Sequence, residues 1–415
     1  MKPDLHKVGF HFFVRYPQGI TGEWVLRGIA PRFTMRNKNS IFMFVRWVLG
    51  PAIILVTCIF ITHFIVVSEG LRDLKRASRL HAKSLVTDFR ATTEGQALYK
   101  RARIYADLSQ RTHLLDGMVV DRDASGNAIH ECDSLLFSSL RYVALAKLGF
   151  VDLAVPAWEA IKTSRTPAGG WLRHPRCPQT PLSRDMTLGL LVSLSQNPPD
   201  AAHMLELIRE DVHRFDGYIS NGPFYLSYFS PGFRAAFDEM AMVFGQPSSG
   251  LPMSFWTTEF DAWTADGDYR SHLVALTVWL EYEIERMATW EHRSGSMIDL
   301  VGLMVDPLAN IHIRDFRLQW SAQSLLRTDP DNLFFRWLAV SSIGGLTIER
   351  RAALAKSLLA MPAFPEMRLP KNCDRRADYI WQRPSVQTRE RSGLCTEIFS
   401  GTDFLWISAM LLEND

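Results

Sequence analysis

The chain carries no GxxxxGK[ST] phosphate loop, no GxGxxG run, no GxSxG elbow and no HExxH pair. P-loop phosphoryl transfer, dinucleotide binding, the α/β-hydrolase nucleophile and zincin hydrolysis therefore have no local signature. There is no CxxC, and the histidines stand singly without ligand spacing, so neither a metal nor another cofactor is expected. Asn-x-Ser/Thr is absent as well. Five cysteines in 415 residues are too few for a small disulfide scaffold, and 47% hydrophobic residues are too many for a disordered chain. An excess of one charge is also missing: 46 Lys+Arg face 44 Asp+Glu, a net +2.

That balance conceals an asymmetry. Residues 1–90 hold 14 Lys/Arg and 5 Asp/Glu, which leaves the rest of the chain at −7. A mildly acidic body excludes the basic footprint that nucleic acid requires. The basic part instead surrounds an apolar run, WVLGPAIILVTCIFITHFIVVS at 47–68, which has no Asp, Glu, Lys or Arg. As a helix it would extend ~30 Å, the thickness of a hydrocarbon core. The expectation is one transmembrane helix at 47–68 in the lipid bilayer, between a basic tail (1–46) and a charged helical stem (69–90). Five basic residues flank each end: Arg27, Arg32, Arg36, Lys38 and Arg46 before it, and Arg72, Lys75, Arg76, Arg79 and Lys83 after it. Lys2, Lys7 and Arg15 tilt the balance towards a cytoplasmic N-terminus, with the body on the outer side.

Cys58 falls inside the apolar run, leaving Cys132, Cys177, Cys373 and Cys395. An exported body could pair them as Cys132–Cys177 and Cys373–Cys395. Four reduced thiols fit the sequence equally well.

Residues 91–415 read as an all-α domain. Helices are expected near 94–110, 133–148, 151–163, 184–196, 199–214, 231–244, 269–287, 297–306, 318–327, 331–341, 347–360 and 403–412, with one short hairpin within 119–131. Those at 133–148, 184–194 and 403–412 are apolar nearly all round, which predicts burial on every side. The segment AAHMLELIREDVHRF places Met204, Leu205, Leu207, Ile208 and Val212 on one side and charge on the other, so it should lie outside. Inner helices are expected at 133–148, 184–195, 231–244, 269–285, 331–341 and 403–412, with outer ones mostly between them. No fixed sequence period recurs, which disfavours a solenoid.

This alternation resembles the six-hairpin, (α/α)6 toroid glycosidase-like superfamily. The resemblance spans about 91–415. It rests on helix order and on GGWLRHP (169–175), SRDMTLGLL (183–191) and GTDFLWISAMLL (401–412). It implies parallel inner helices, loops at one end around a groove, and a polysaccharide or oligosaccharide as substrate. The inner N-termini would then share one mouth, gathering Asp133, Arg184, Asp185, His272 and Asp403. The preceding loop would add Trp171, Arg173 and His174. An aromatic ring stacks on a sugar face, while two carboxyls flank the scissile bond as acid and base. Asp133 and Asp185 are the expected catalytic pair. Arg184 and His174 would orient substrate, Trp171 and Arg173 would bind it, and His272 and Asp403 are reserves.

Two other readings stand beside this one. Asp133 occupies an N-cap position and Asp185 a first turn, so each could simply stabilise its helix. The body would then be a non-catalytic glycan- or partner-binding toroid within a membrane assembly. A polysaccharide lyase would instead draw on Tyr225, Tyr228, Arg270 and His272.

Overall fold

The computed structural model describes residues 89–123, 125–180, 182–214, 231–247, 262, 269–287, 319–341, 346–360 and 398–413. The chain divides into two units, Met1–His63 and Phe64–Asp415, and every described residue belongs to the second. The apolar run at 47–68, the expected helix at 297–306, Cys373 and Cys395 lie outside the described residues. Among the described residues, no helix is long and apolar enough to cross a membrane.

The domain is all-α. In chain order the helices are α1 (Thr93–Thr112), α2 (Ser134–Leu148), α3 (Val151–Lys162), α4 (Arg184–Leu194), α5 (Ala201–Arg214), α6 (Pro231–Val243), α7 (Tyr269–Met287), α8 (319–328), α9 (Leu333–Ser341), α10 (Ile348–Leu359) and α11 (Thr402–Leu412). Local chemistry sets several boundaries. Thr92 starts α1 by accepting the Gly95 amide, and Thr347 starts α10 by accepting the Arg350 amide. Gly149 ends α2 at φ 79°, where the Phe150 amide returns to the Leu145 carbonyl.

Burial separates two classes of helix. Thirteen residues of α2 are buried, as are all eleven of α11, so these helices meet protein on every side. On α5 the predicted stripe holds where it is described: Met204, Leu205 and Ile208 are buried, while Glu206 and Glu210 face water. Around the fully apolar helices, α2 packs on α4, α4 on α7, α7 on α9, α9 on α11, and α11 again on α2. An aromatic cluster fills the interior: Trp279 meets Trp406 edge-on at 4.5 Å, Phe334 approaches Trp406 at 6.0 Å, and Tyr105 stacks on Phe404 at 3.9 Å. Each such pair contributes ~0.5–1.5 kcal/mol beyond the area it buries.

Specific contacts fix helix direction. The C-terminal ends of α2, α7 and α11 meet in a buried charge cluster. Lys147 Nζ lies 2.9 Å from Glu283 and also bonds Glu413, while Arg286 reaches both carboxylates at 2.8 and 2.6 Å. These three helices therefore run the same way. So does α4, which tracks α2 from Met186–Leu136 near their starts to Ser193–Ser139 further along. Near the start of α9, Phe335 meets His272, near the start of α7, at 5.1 Å. The flanking α1 runs opposite to α11. Arg90, just before α1, bonds the Leu412 carbonyl, whereas His113, just after it, meets the Ile398 carbonyl at 3.2 Å.

Strand structure is richer than the single hairpin expected. Leu114–Leu115 (β1) pairs with Met118–Val119 (β2), and Asp121–Arg122 (β3) with Ala128–Ile129 (β4). The second hairpin turns at Gly126 (φ 84°), within the expected Ser125-Gly126-Asn127 corner. The first was missed because Asp116-Gly117, its two-residue turn, separates strands too short to show alternation. A bridge between Arg122 and Ile398 ties the second hairpin to the segment entering α11.

Candidate functional site

The predicted carboxyl pair comes together. Asp133 and Asp185 line one pocket of about 270 Å³, joined by Asp121 from β3 and by His130. Val119, Phe137 and Met186 supply apolar wall. An apolar cavity with a few convergent polar groups is the usual form of a small-ligand or substrate site.

Backbone geometry explains the convergence. α2 and α4 approach so closely that a Cβ placed on Gly189 would lie 2.9 Å from the Leu136 Cα. The sulfur of Met186 sits 3.2 Å from the Leu136 amide, in the first turn of α2. That contact locks the two N-termini side by side, and Asp133 and Asp185 follow. Asp121 arrives from the hairpin. The Ser400 amide donates to its Oδ1 at 3.2 Å, so α11 also begins beside the pocket.

The helix starts near the pocket carry no side-chain cap, and neither does α3. α1 and α10 have threonine side-chain caps, but no side chain caps α2, α4 or α11 at Asp133, Ser183 or Gly401. The Asp133 carboxylate is therefore not spent as an N-cap. It pairs with Arg173 Nη1 at 2.7 Å, and its side chain remains 50% exposed. Asp185 accepts a hydrogen bond from the Ser183 hydroxyl. Three inner helices directing their positive ends to this side favour bound oxygen atoms of a ligand.

The approach to α2 is a single turn of 3₁₀ helix, Glu131–Asp133, in which no residue is buried. His130 precedes it in the left-handed region, φ 55°. A non-glycine residue there carries strain of ~1 kcal/mol or more and is held by its surroundings. A disulfide supplies one such restraint. Cys132 is bonded to Cys177, with Cα atoms 5.7 Å apart, which joins the turn to the loop carrying Arg173. Of the two cysteine readings left open by the sequence, the first pair is formed.

The remaining expected ligands have other roles. Trp171 is buried (1% exposed), bridges to Arg165 through its backbone and offers no open face to a sugar; this corrects its reading as a stacking platform. His174 is fully buried. Its Nδ1 accepts the Arg176 amide at 3.0 Å, so Nε2 carries the proton and donates to the Leu115 carbonyl at 3.2 Å. It fixes the loop and does not meet substrate. His272 packs on Phe335, and Asp403 accepts the Phe404 amide at 2.8 Å in a buried first turn; neither lines this pocket. Arg184 is exposed at the start of α4. Tyr225 and Tyr228 lie outside the described residues.

Asp121 and His130 escaped the sequence reading. The available signal was position, since β4 ends one residue before His130 and three before Cys132. On the loop that carries Arg173, Arg176 grips Asp116 through two hydrogen bonds of 2.6 and 2.9 Å. They hold the Asp116 carboxyl below its ordinary range. Among the described residues, no group of three His, Cys, Asp or Glu side chains is placed to hold a metal ion.

No family model, curated protein or solved structure matches the chain.

Proposed function

We propose that this chain is a membrane-anchored carbohydrate-active enzyme, a glycoside hydrolase acting on a cell-envelope or surface polysaccharide. Its body is an (α/α)6 toroid. Five of the six expected inner helices neighbour one another in the closed order α2–α4–α7–α9–α11, with α6 packed on α7, and the shared direction of α2, α4, α7 and α11 supports that architecture. The apolar run at 47–68 is its bilayer anchor, and the Cys132–Cys177 bond favours an oxidising, outer location for the body.

One observation carries the catalytic reading: Asp133 and Asp185 line the same pocket, and the Asp133 carboxylate does not cap its helix. A two-carboxylate mechanism needs one ionised group and one proton donor. Asp133, ion-paired with Arg173, is assigned as the group that attacks the anomeric carbon or activates water. Asp185, on the neighbouring helix, is assigned the general-acid role at the leaving oxygen. Asp121 and His130 hold sugar hydroxyls in this arrangement.

The test uses the full chain in mild detergent, as wild type, Asp133→Asn and Asp185→Asn. Each is incubated with peptidoglycan and envelope polysaccharides, and new reducing ends and chain length are measured. The reading predicts cleavage by the wild type and at least a ~100-fold loss in each variant with folding intact. Cleavage retained by both variants removes these residues from the mechanism. Binding without cleavage replaces the hydrolase with a glycan-binding toroid, and unsaturated products identify a lyase.

A further inference from the structure

We propose that the Cys132–Cys177 disulfide is the positioning element of the pocket: it sets Asp133 against Arg173, so the site is assembled when the bond is closed and loosened when it is reduced. This deepens the hydrolase reading and rests on it for its functional consequence.

The argument begins with what holds the turn. Glu131, Cys132 and Asp133 are all partly exposed, so packing alone does not fix the residue that carries the carboxylate. The strained His130 backbone lies immediately before it. On the far side, Cys177 belongs to the loop that delivers Arg173, and its amide bonds the His174 carbonyl at 2.8 Å. The bond thus joins the two segments whose side chains form the Asp133–Arg173 ion pair, 40 residues apart in sequence.

Reduction would not unfold this loop. His174 remains buried on the Leu115 carbonyl, and Arg176 keeps Asp116. What is released is the register between the loop and the start of α2. Cys132 is the more exposed residue of the pair; Cys177 is 6% exposed. A thiolate of a dithiol reductant attacks the Cys132 sulfur, and Cys177 leaves as a thiolate that takes up a proton. The second thiol of the reductant then displaces Cys132. The protein gains two electrons and two protons as two thiols, and the reductant becomes a disulfide.

The experiment uses the full chain in detergent with Cys58, Cys373 and Cys395 replaced by serine, leaving one cysteine couple. Amide hydrogen exchange is compared between the oxidised form and the form reduced with dithiothreitol. Reduction is expected to speed exchange about tenfold or more in 130–137 and 171–178 while α11 is unchanged. Peptidoglycan or polysaccharide cleavage is expected to fall about tenfold and return on reoxidation. In Arg173→Gln, cleavage by the oxidised protein should already be impaired and should no longer respond to reductant, while exchange in the two segments still does. Unchanged exchange in those two segments overturns the proposal. So does opening of α11 at the same time, which would make the bond a general staple, or a full response of cleavage to reductant in Arg173→Gln. If no form cleaves any polymer, the hydrolase reading fails, and exchange alone still decides whether the bond governs the pocket.

Discussion

Replacing Lys147 with methionine tests the helix arrangement at its far end from the pocket. Lys147, Glu283 and Glu413 have side chains 2%, 7% and 11% exposed, and they come from the C-terminal ends of α2, α7 and α11. Methionine keeps the apolar stem beside Trp279, whose ring lies 5.6 Å from the Lys147 ammonium, and removes only the charge. Two buried carboxylates are then left to share Arg286. Removing one partner of a buried ion pair costs ~3–5 kcal/mol, and the lost cation–π contact lies within that figure. Burial already pushes the Glu283 carboxyl above its ordinary range, so in the variant it takes up a proton in preference to staying ionised. The cost should therefore be smaller at pH 5 than at pH 8. Adding Glu283→Gln leaves Glu413 and Arg286 as a one-to-one pair and should recover about 2 kcal/mol, a coupling measured by the double-mutant cycle. Urea unfolding followed by tryptophan fluorescence reads all three quantities. A Lys147→Met variant within ~0.5 kcal/mol of wild type, the range of ordinary surface substitutions, would show that these helix ends do not meet, and the parallel arrangement would fall with it.

Two further perturbations probe other parts of the same frame. Gly189→Ala would gain up to ~1 kcal/mol from helix propensity, but its Cβ would meet the Leu136 backbone at 2.9 Å. Net destabilisation of ~1–3 kcal/mol is expected, together with reduced polymer cleavage as α4 moves from α2, and a stabilised variant would refute the close approach. Burial lowers His113 from its ordinary 6.5 to about 4. Between those values the unfolded chain binds the proton and the folded one does not, so stability is complete above pH 6.5 and falls by up to ~3 kcal/mol as pH drops towards 4. Unfolding midpoints across that window should decline in wild type and flatten in His113→Gln; equal slopes in both would assign the acid sensitivity to other groups.

Much of this molecule is local and could be read directly. Apolar residues with no polar face identify α2, α4 and α11 as buried because such a helix has nothing to offer water. Gly149 and the threonines before α1 and α10 mark ends through backbone rules that act within a few residues. Asp133 and Asp185 were legible as a pair because both begin helices of the buried class. The assignment of Trp171 and His174 to substrate failed for a different reason. Residue type states what a side chain can do, whereas burial is decided by whichever segment packs above it. The loop containing both folds inwards, where Trp171 fills space and His174 spends both nitrogens on the backbone.

By itself, then, the sequence determined that the body is helical, that α2, α4 and α11 are internal and where several helices start and stop, since period, apolarity and capping are properties of short segments. Tertiary structure alone decided the rest. It brought Asp121 and His130 to the carboxyl pair, chose the disulfide over free thiols for Cys132 and Cys177, and gathered Lys147, Glu283 and Glu413 into one buried cluster. Lys147 and Glu413 are 266 positions apart, and no local preference registers a partner at that distance. Such contacts exist because close packing of the whole domain leaves each of these groups one place to find its counter-charge or bond.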